Sequence, residues 1–282
     1  MRVGRRPAAQ IRSGEHMAGR TVRREEDDLA QELEHALGSD EIRLEYQPVV
    51  RLGSGQVAGA EALVRWRHPR RGMLNPSDFL PVAKRSGILD RLGQMVLEQA
   101  CRTAAGWPRP SSRTSYFVSV NFSVDQLEAD SAVESIVAAT SATGLAPEQL
   151  VLEVTSNVGP DGARVAQTVS ALREAGIRVA LDDFGSATSL RDLKQLGVDF
   201  VKLDREFVVD VDGPPADSAF ALAVLRLAEA RGAEAVAKGI ESREQAWRLA
   251  ELGCRYGQGF FFSKPLGATG IIAILRQGTL RG

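Results

Sequence analysis

Glu61, Asn121, Glu153, Asp182, Asp183, Lys202, Asp204, Lys238, Glu241 and Gln258 each fall in or at the end of a short apolar run. One such residue alone is an ordinary solvated strand end. Gathered at one rim, carboxylates and an amide without histidine or thiolate specify a hard cation, Mg²⁺ or Mn²⁺. Adjacent Asp182 and Asp183 repel each other unless cations neutralise them. One carboxylate bridging two ions, with its neighbour on the second, would suit a two-metal site for phosphodiester hydrolysis. Read alone, "DDFG" is better explained as an Asp–Asp helix cap starting a turn; with Glu61, Asn121 and Glu153 on neighbouring strands, a metal site is favoured. Lys238, at the end of "GAEAVAKGIES", is open to two readings: a solvated end or part of the site.

The elements that must position these residues alternate along the chain. Strand-like runs cover 44–50, 57–66, 115–123, 149–155, 177–185, 199–207, 233–241 and 256–263. Amphipathic stretches such as "LDRLGQMVLEQACRTAAGW" and "SREQAWRLAELG" have helical periodicity and lie between most of them. Eight strands with helices between most of them predict an α/β fold, a (β/α)₈ barrel. The tight turn "RLGSGQ" joins the first two strands, so one of them runs antiparallel. Active sites of such barrels are built at the carboxyl ends of the strands, where the polar residues above fall.

Composition narrows the class. The chain has 282 residues and 44% hydrophobic content, enough for a full core, and a net charge of -1. That balance argues against duplex DNA or RNA and against a membrane surface as the main partner. Cys101 and Cys254 show neither metal spacing nor a disulfide framework, which fits a reducing cytoplasm. His16, His35 and His68 are expected at surface or packing positions. Residues 1–25 read as a basic, disordered arm and 26–282 as one barrel domain. No apolar run is long enough to span a membrane.

The phrases "YQPVVRLGSGQVAGAEALVRWRHP", "VNFS", "LVLEVT", "LDDFG", "VDFVKLD" and "GCRYGQGFFFSKPL" resemble, in order, the EAL family of cyclic di-GMP phosphodiesterases. The resemblance runs from about residue 28 to 275 and implies a modified (β/α)₈ TIM-like barrel with one antiparallel strand. It implies Glu61, Asn121, Glu153 and Asp182 on a first metal, with Asp182 and Asp183 on a second. Lys202 would position the attacking water or stabilise phosphate charge. Gln47, Leu63 and Arg65 would contact the dinucleotide, Arg65 through a planar fork suited to phosphate. Gln258 would support the far side of the pocket, with Asp204 and Glu241 as supporting residues. The implied reaction opens cyclic di-GMP to linear pGpG, and the implied associates are a homodimer or a protein partner.

Three departures from the family pattern bear on activity. Ser156 replaces the second glutamate of "E-x-T-E", and "DDFGSATSL" is one residue shorter than the usual loop. Lys238 replaces the first glutamate of "E-G-V-E", a residue the family assigns to the second metal or the catalytic base. Two functions follow: a weakened metal-dependent phosphodiesterase, or an inactive receptor or interaction module that binds cyclic di-GMP without cutting it.

Overall fold

The computed structural model describes residues 26–109, 115–155, 162–184 and 190–280. The expected arm at 1–25, Ser156 and residues 185–189 of the shortened loop lie outside the described residues. Two compact units are present. One comprises Leu44–Val64 with Gly93 onward, the other Arg65–Leu92 with the described residues up to Arg43.

The strands are β1 Ile42–Arg51, β2 Val57–His68, β3 Gly72–Leu74, β4 Phe117–Phe122, β5 Leu150–Thr155, β6 Arg178–Phe184, β7 Phe200–Leu203, β8 Glu234–Ala237 and β9 Tyr256–Gly257. They form one sheet in the order β1-β9-β8-β7-β6-β5-β4-β2-β3, and pairing of β1 with β2 closes it. Neighbours from β2 through β4 to β9 run parallel, while β1 is antiparallel to β9. This is a closed eight-stranded barrel with one reversed strand, as read from the sequence. β3 is an addition: it pairs antiparallel with the end of β2, Trp66 opposite Leu74. Three residues are too short to show a period.

The strands supply the barrel interior in layers. Val49, Ala58, Phe117, Val151, Ala180, Phe200, Val236 and Tyr256 form a buried cluster, one residue from each barrel strand. Such a layer fills a small barrel and makes it a core rather than a pore. Gly59 lies opposite Phe117 in the register, and a side-chain carbon there would fall 2.7 Å from the Phe117 ring.

Three strand ends differ from the sequence expectation. The run at 199–207 stops at Leu203 because the Asp204 Oδ1 accepts from the Glu206 amide at 3.0 Å, opening a short helix, Glu206–Val209. Asp204 is therefore a turn residue beyond the strand. The run at 233–241 stops at Ala237, since Gly239 takes φ +73°, a conformation that suits glycine. The run at 256–263 shrinks to two strand residues. Gly259 there presses on the Ile240 backbone so closely that a side-chain carbon would lie 2.0 Å from its carbonyl oxygen.

In the second unit, His68 is buried with Nε2 2.7 Å from Glu32, and Trp66 Nε1 donates to Glu41 at 3.0 Å. This fits the packing role expected of His68. Among the described residues, no helix is long and apolar enough to cross a membrane.

Both thiols are buried, and burial pushes Cys101 and Cys254 up to about 12. Since the thiolate is the reactive form, native protein is expected to resist iodoacetamide at mildly alkaline pH, whereas the unfolded chain labels at both. Mass spectrometry of the two states checks this; fast labelling of the native form would contradict the described packing.

Candidate functional site

Side chains alternate faces along a strand, so the residue two beyond an inward one also points inward. Stepping two positions from the inner layer toward the carboxyl ends reaches Ser119, Glu153, Asp182, Lys202, Lys238 and Gln258. The same step from Gly59 reaches Glu61. On reversed β1 it runs backward, from Val49 to Gln47. Simple strand geometry therefore turns an apolar layer into a polar one at the rim expected of a barrel enzyme. Asn121 lies two residues further along β4 and is exposed.

Lys202 stands at the centre, 2% exposed, with Nζ donating to Glu61 Oε2 at 2.8 Å and Glu153 Oε2 at 2.6 Å. Glu61 also accepts from Asn121 Nδ2 at 2.9 Å and from Gln258 Nε2 at 2.7 Å. Burial pushes the Glu61 carboxyl upward, but the Lys202 ammonium and these donors outweigh it and hold the acid at about 2. Glu153 has the same ammonium but fewer other donors. Burial and the Glu61 charge push it up to about 8. Burial disfavours the Lys202 ammonium, yet the carboxylates around it, led by Glu153 and Glu61, raise its pKa above the ordinary value.

A second cluster lies across the rim. Lys238 Nζ donates to Asp182 Oδ1 at 2.7 Å and also contacts Asp183 Oδ1. Here too burial opposes the charge, but Asp182 and then the hydrogen bonds to both acids prevail over it and over repulsion from Lys202; the Lys238 pKa is raised. Asp183 takes φ +51°, the only such non-glycine value among the described residues, where the β6–β7 register shifts. Aspartate is one of the few side chains that tolerates this conformation. The two acids are thus turned toward one ammonium despite adjacent positions in the chain.

An open cleft of about 190 Å³ adjoins these groups, lined by Gln47, Glu61, Arg205, Lys238, Gly239, Glu241, Gln258, Gly259 and Phe260. Gln258 Nε2 also donates to Gln47 Oε1 at 2.8 Å, while its own buried carbonyl oxygen accepts nothing among the described residues. Glu241 pairs with Arg205 at 2.7 Å. Leu63 and Arg65 are half-buried on β2, Arg65 in the other compact unit. Sequence reasoning missed Arg205 and Phe260. Arg205 follows a strand in an ordinary charged turn, and Phe260, 58% exposed, read as part of a strand. Lys264, not expected in the site, lies over the Phe260 ring with Nζ 5.7 Å from its centroid.

The donor set tests whether a metal belongs here. Glu61, Asn121, Glu153 and Asp182 offer only oxygen ligands, which suits a hard divalent ion. Among the described residues no three carboxylate, imidazole or thiolate ligands are gathered into a ready cage. Ammonium groups stand between the acids instead. A first ion fits if Lys202 yields one carboxylate. A second ion on Asp182 and Asp183 does not fit, because Lys238 already bridges them.

Comparison with known proteins bears on the family and the fold. The EAL domain model matches residues 30–265. An uncharacterized signaling protein of Caulobacter vibrioides is 36% identical over 244 residues, 86% of this chain and 30% of its own length. Cyclic di-GMP phosphodiesterase NbdA of Pseudomonas aeruginosa is 35% identical over 256 residues, 89% of this chain and 32% of its own. The chain spans about a third of the length of the curated relatives it matches. The cyclic di-GMP complex of the PaMucR phosphodiesterase superposes with a TM-score of 0.79 at 32% identity, covering 86% of this chain and 99% of that one. The cAMP- and cyclic di-GMP-bound EAL enzyme Bd1971 superposes with a TM-score of 0.83 at 27% identity, covering 93% and 72%. With a family model over most of its length and the reversed barrel strand in place, the chain belongs to the EAL domain family.

Proposed function

We propose that this chain acts on cyclic di-GMP at the carboxyl-end rim of its barrel, hydrolysing it to linear pGpG at a weakened rate. The observation that carries this reading is the meeting of Glu61, Glu153 and Lys202 with Asn121 and Gln258 at one buried point beside an open cleft. Glu61, Asn121, Glu153 and Asp182 would hold one Mg²⁺ or Mn²⁺. A bound divalent ion lowers the pKa of water and stabilises charge on phosphoryl oxygens. Lys202, fixed between two acids, orients the attacking water and keeps positive charge near the phosphate. Gln47, Leu63 and Gln258 would hold the dinucleotide; Asp204 and Glu241 support the turns around it. The barrel over residues 26–282 is read as one functional domain, cytoplasmic, with a homodimer or protein partner as its associate.

A second reading has its own support. Lys238 fixed on Asp182 and Asp183 removes the acid pair from metal binding, which favours a receptor that holds cyclic di-GMP without cutting it. Purified protein with cyclic di-GMP and Mn²⁺ separates the two, following pGpG release alongside calorimetric binding. Slow release with binding is the expected result. Tight binding without release would replace the enzyme by the receptor; neither would leave an interaction module.

A further inference from the structure

We infer that Lys238 is a tethered cation standing where a second divalent ion would otherwise sit, so that the site takes one metal and uses the lysine as its second positive charge on the ligand phosphate. This rests on the metal-site reading above. A lysine at a strand end more often points to solvent. Here the side chain is only 22% exposed, and its ammonium meets both Asp182 and Asp183.

The backbone holds it there. The Lys238 amide donates to the Leu203 carbonyl at 3.1 Å, extending the β7–β8 ladder one residue past β8. Gly239 follows at φ +73°, where a side-chain carbon would fall 2.7 Å from Arg205 Cγ. Ser242 then caps the helix Arg243–Glu251, accepting from the Gln245 amide at 3.0 Å. Between Lys238 and this cap the chain has little freedom to turn the lysine outward.

Charge points the same way. Four carboxylates, Glu61, Glu153, Asp182 and Asp183, face two ammonium groups, Lys202 and Lys238. With all four ionised, two negative charges would remain, the complement of one divalent ion. A second ion would have to displace Lys238 from both acids and then stand beside its charge, which Coulomb repulsion opposes in a partly buried site. An ammonium carries three donors. Two serve the aspartates, and Lys238 lines the cleft with Gln47 and Glu61, leaving the third for a phosphate oxygen.

Titration with Mn²⁺ alone, by calorimetry and by electron paramagnetic resonance, tests the count. The wild-type chain is expected to bind one Mn²⁺, and Lys238→Glu two. Lys238→Met keeps the bulk and removes the charge. It is expected to bind one Mn²⁺ strongly and, in buffer with EDTA, to bind cyclic di-GMP about tenfold more weakly, the loss of one charge-assisted hydrogen bond. Two ions on the wild type, one on a folded Lys238→Glu chain, or unchanged cyclic di-GMP affinity of Lys238→Met would each overturn the proposal. No Mn²⁺ on the wild type would instead overturn the metal-site reading beneath it. The wild-type count needs no variant, so it stands even if Lys238→Glu fails to fold.

Discussion

Replacing Lys202 by Met is expected to destabilise the metal-free protein by about 3–5 kcal/mol, the usual loss when one partner of a buried ion pair is removed. The substitution keeps the length of the side chain but leaves Glu61 and Glu153 facing each other in a dry site. Two carboxylates so placed cannot both stay charged. Glu153, already held up at about 8 beside the lysine, rises further without it. The folded chain then keeps a proton that the unfolded chain releases, so stability falls as pH rises through the interval between the two pKa values. The deficit should therefore be larger at about pH 8.5 than at about pH 5.5, where the proton is supplied freely. Added Mn²⁺ should restore much of the loss, since the ion can neutralise the acids that Lys202 left behind. Turnover should fall about a hundredfold or more even with metal, because a positioned charge is missing from the phosphate. Calorimetric melting with and without Mn²⁺ at both pH values checks this. An unchanged melting temperature without metal would mean that Lys202 is not the counter-ion of these acids.

The fold was legible because its two periods are clean. Apolar runs such as Leu150–Leu152 and Val179–Leu181 stand between longer amphipathic stretches, and the "RLGSGQ" turn reverses the first strand. Strand ends were less legible. At Asp204 and Gly239 a local hydrogen bond or a positive φ stops a run whose composition would have carried on. The polar rim was readable for a physical reason: Glu153, Asp182, Lys202, Lys238 and Gln258 each stand two positions past an inner-layer residue, so one alternation sets both. Pairing across the rim was not readable. The sequence leaves Lys238 open between solvent and Asp183, and contacts from Asp182 and Asp183, neighbours on β6 turned to one side by the positive φ at Asp183, decide it. Nor does it say that Lys202 touches Glu61 and Glu153 rather than only a ligand, since those three lie on non-adjacent parts of the chain. Arg205 and Phe260 gave no signal, because a charged turn and an aromatic after a strand are common on any surface.

Glu61→Gln should abolish turnover while leaving the ligand bound, and the contrast comes from how the carboxylate is held. Glu61 accepts from Lys202, Asn121 and Gln258 at 2.7–2.9 Å. An amide keeps the shape but replaces one accepting oxygen with a donor, so at least one of these bonds becomes a clash of donors. It also removes the negative charge that a divalent ion requires from its ligand. Mn²⁺ affinity should drop about a hundredfold or more, at the upper end of what is lost when a metal-site group is altered. Lys238 and Gln258 remain in the cleft, so cyclic di-GMP binding measured in EDTA should change by less than about tenfold. The split separates the enzyme from the receptor at the level of one residue. In the enzyme, Glu61 acts through the metal and its loss appears in turnover. In a receptor that needs no ion, Glu61 only braces Gln258 and Lys202, and the same change would weaken ligand binding with or without Mn²⁺. Turnover that survives Glu61→Gln would show that the reaction does not need the Glu61 charge.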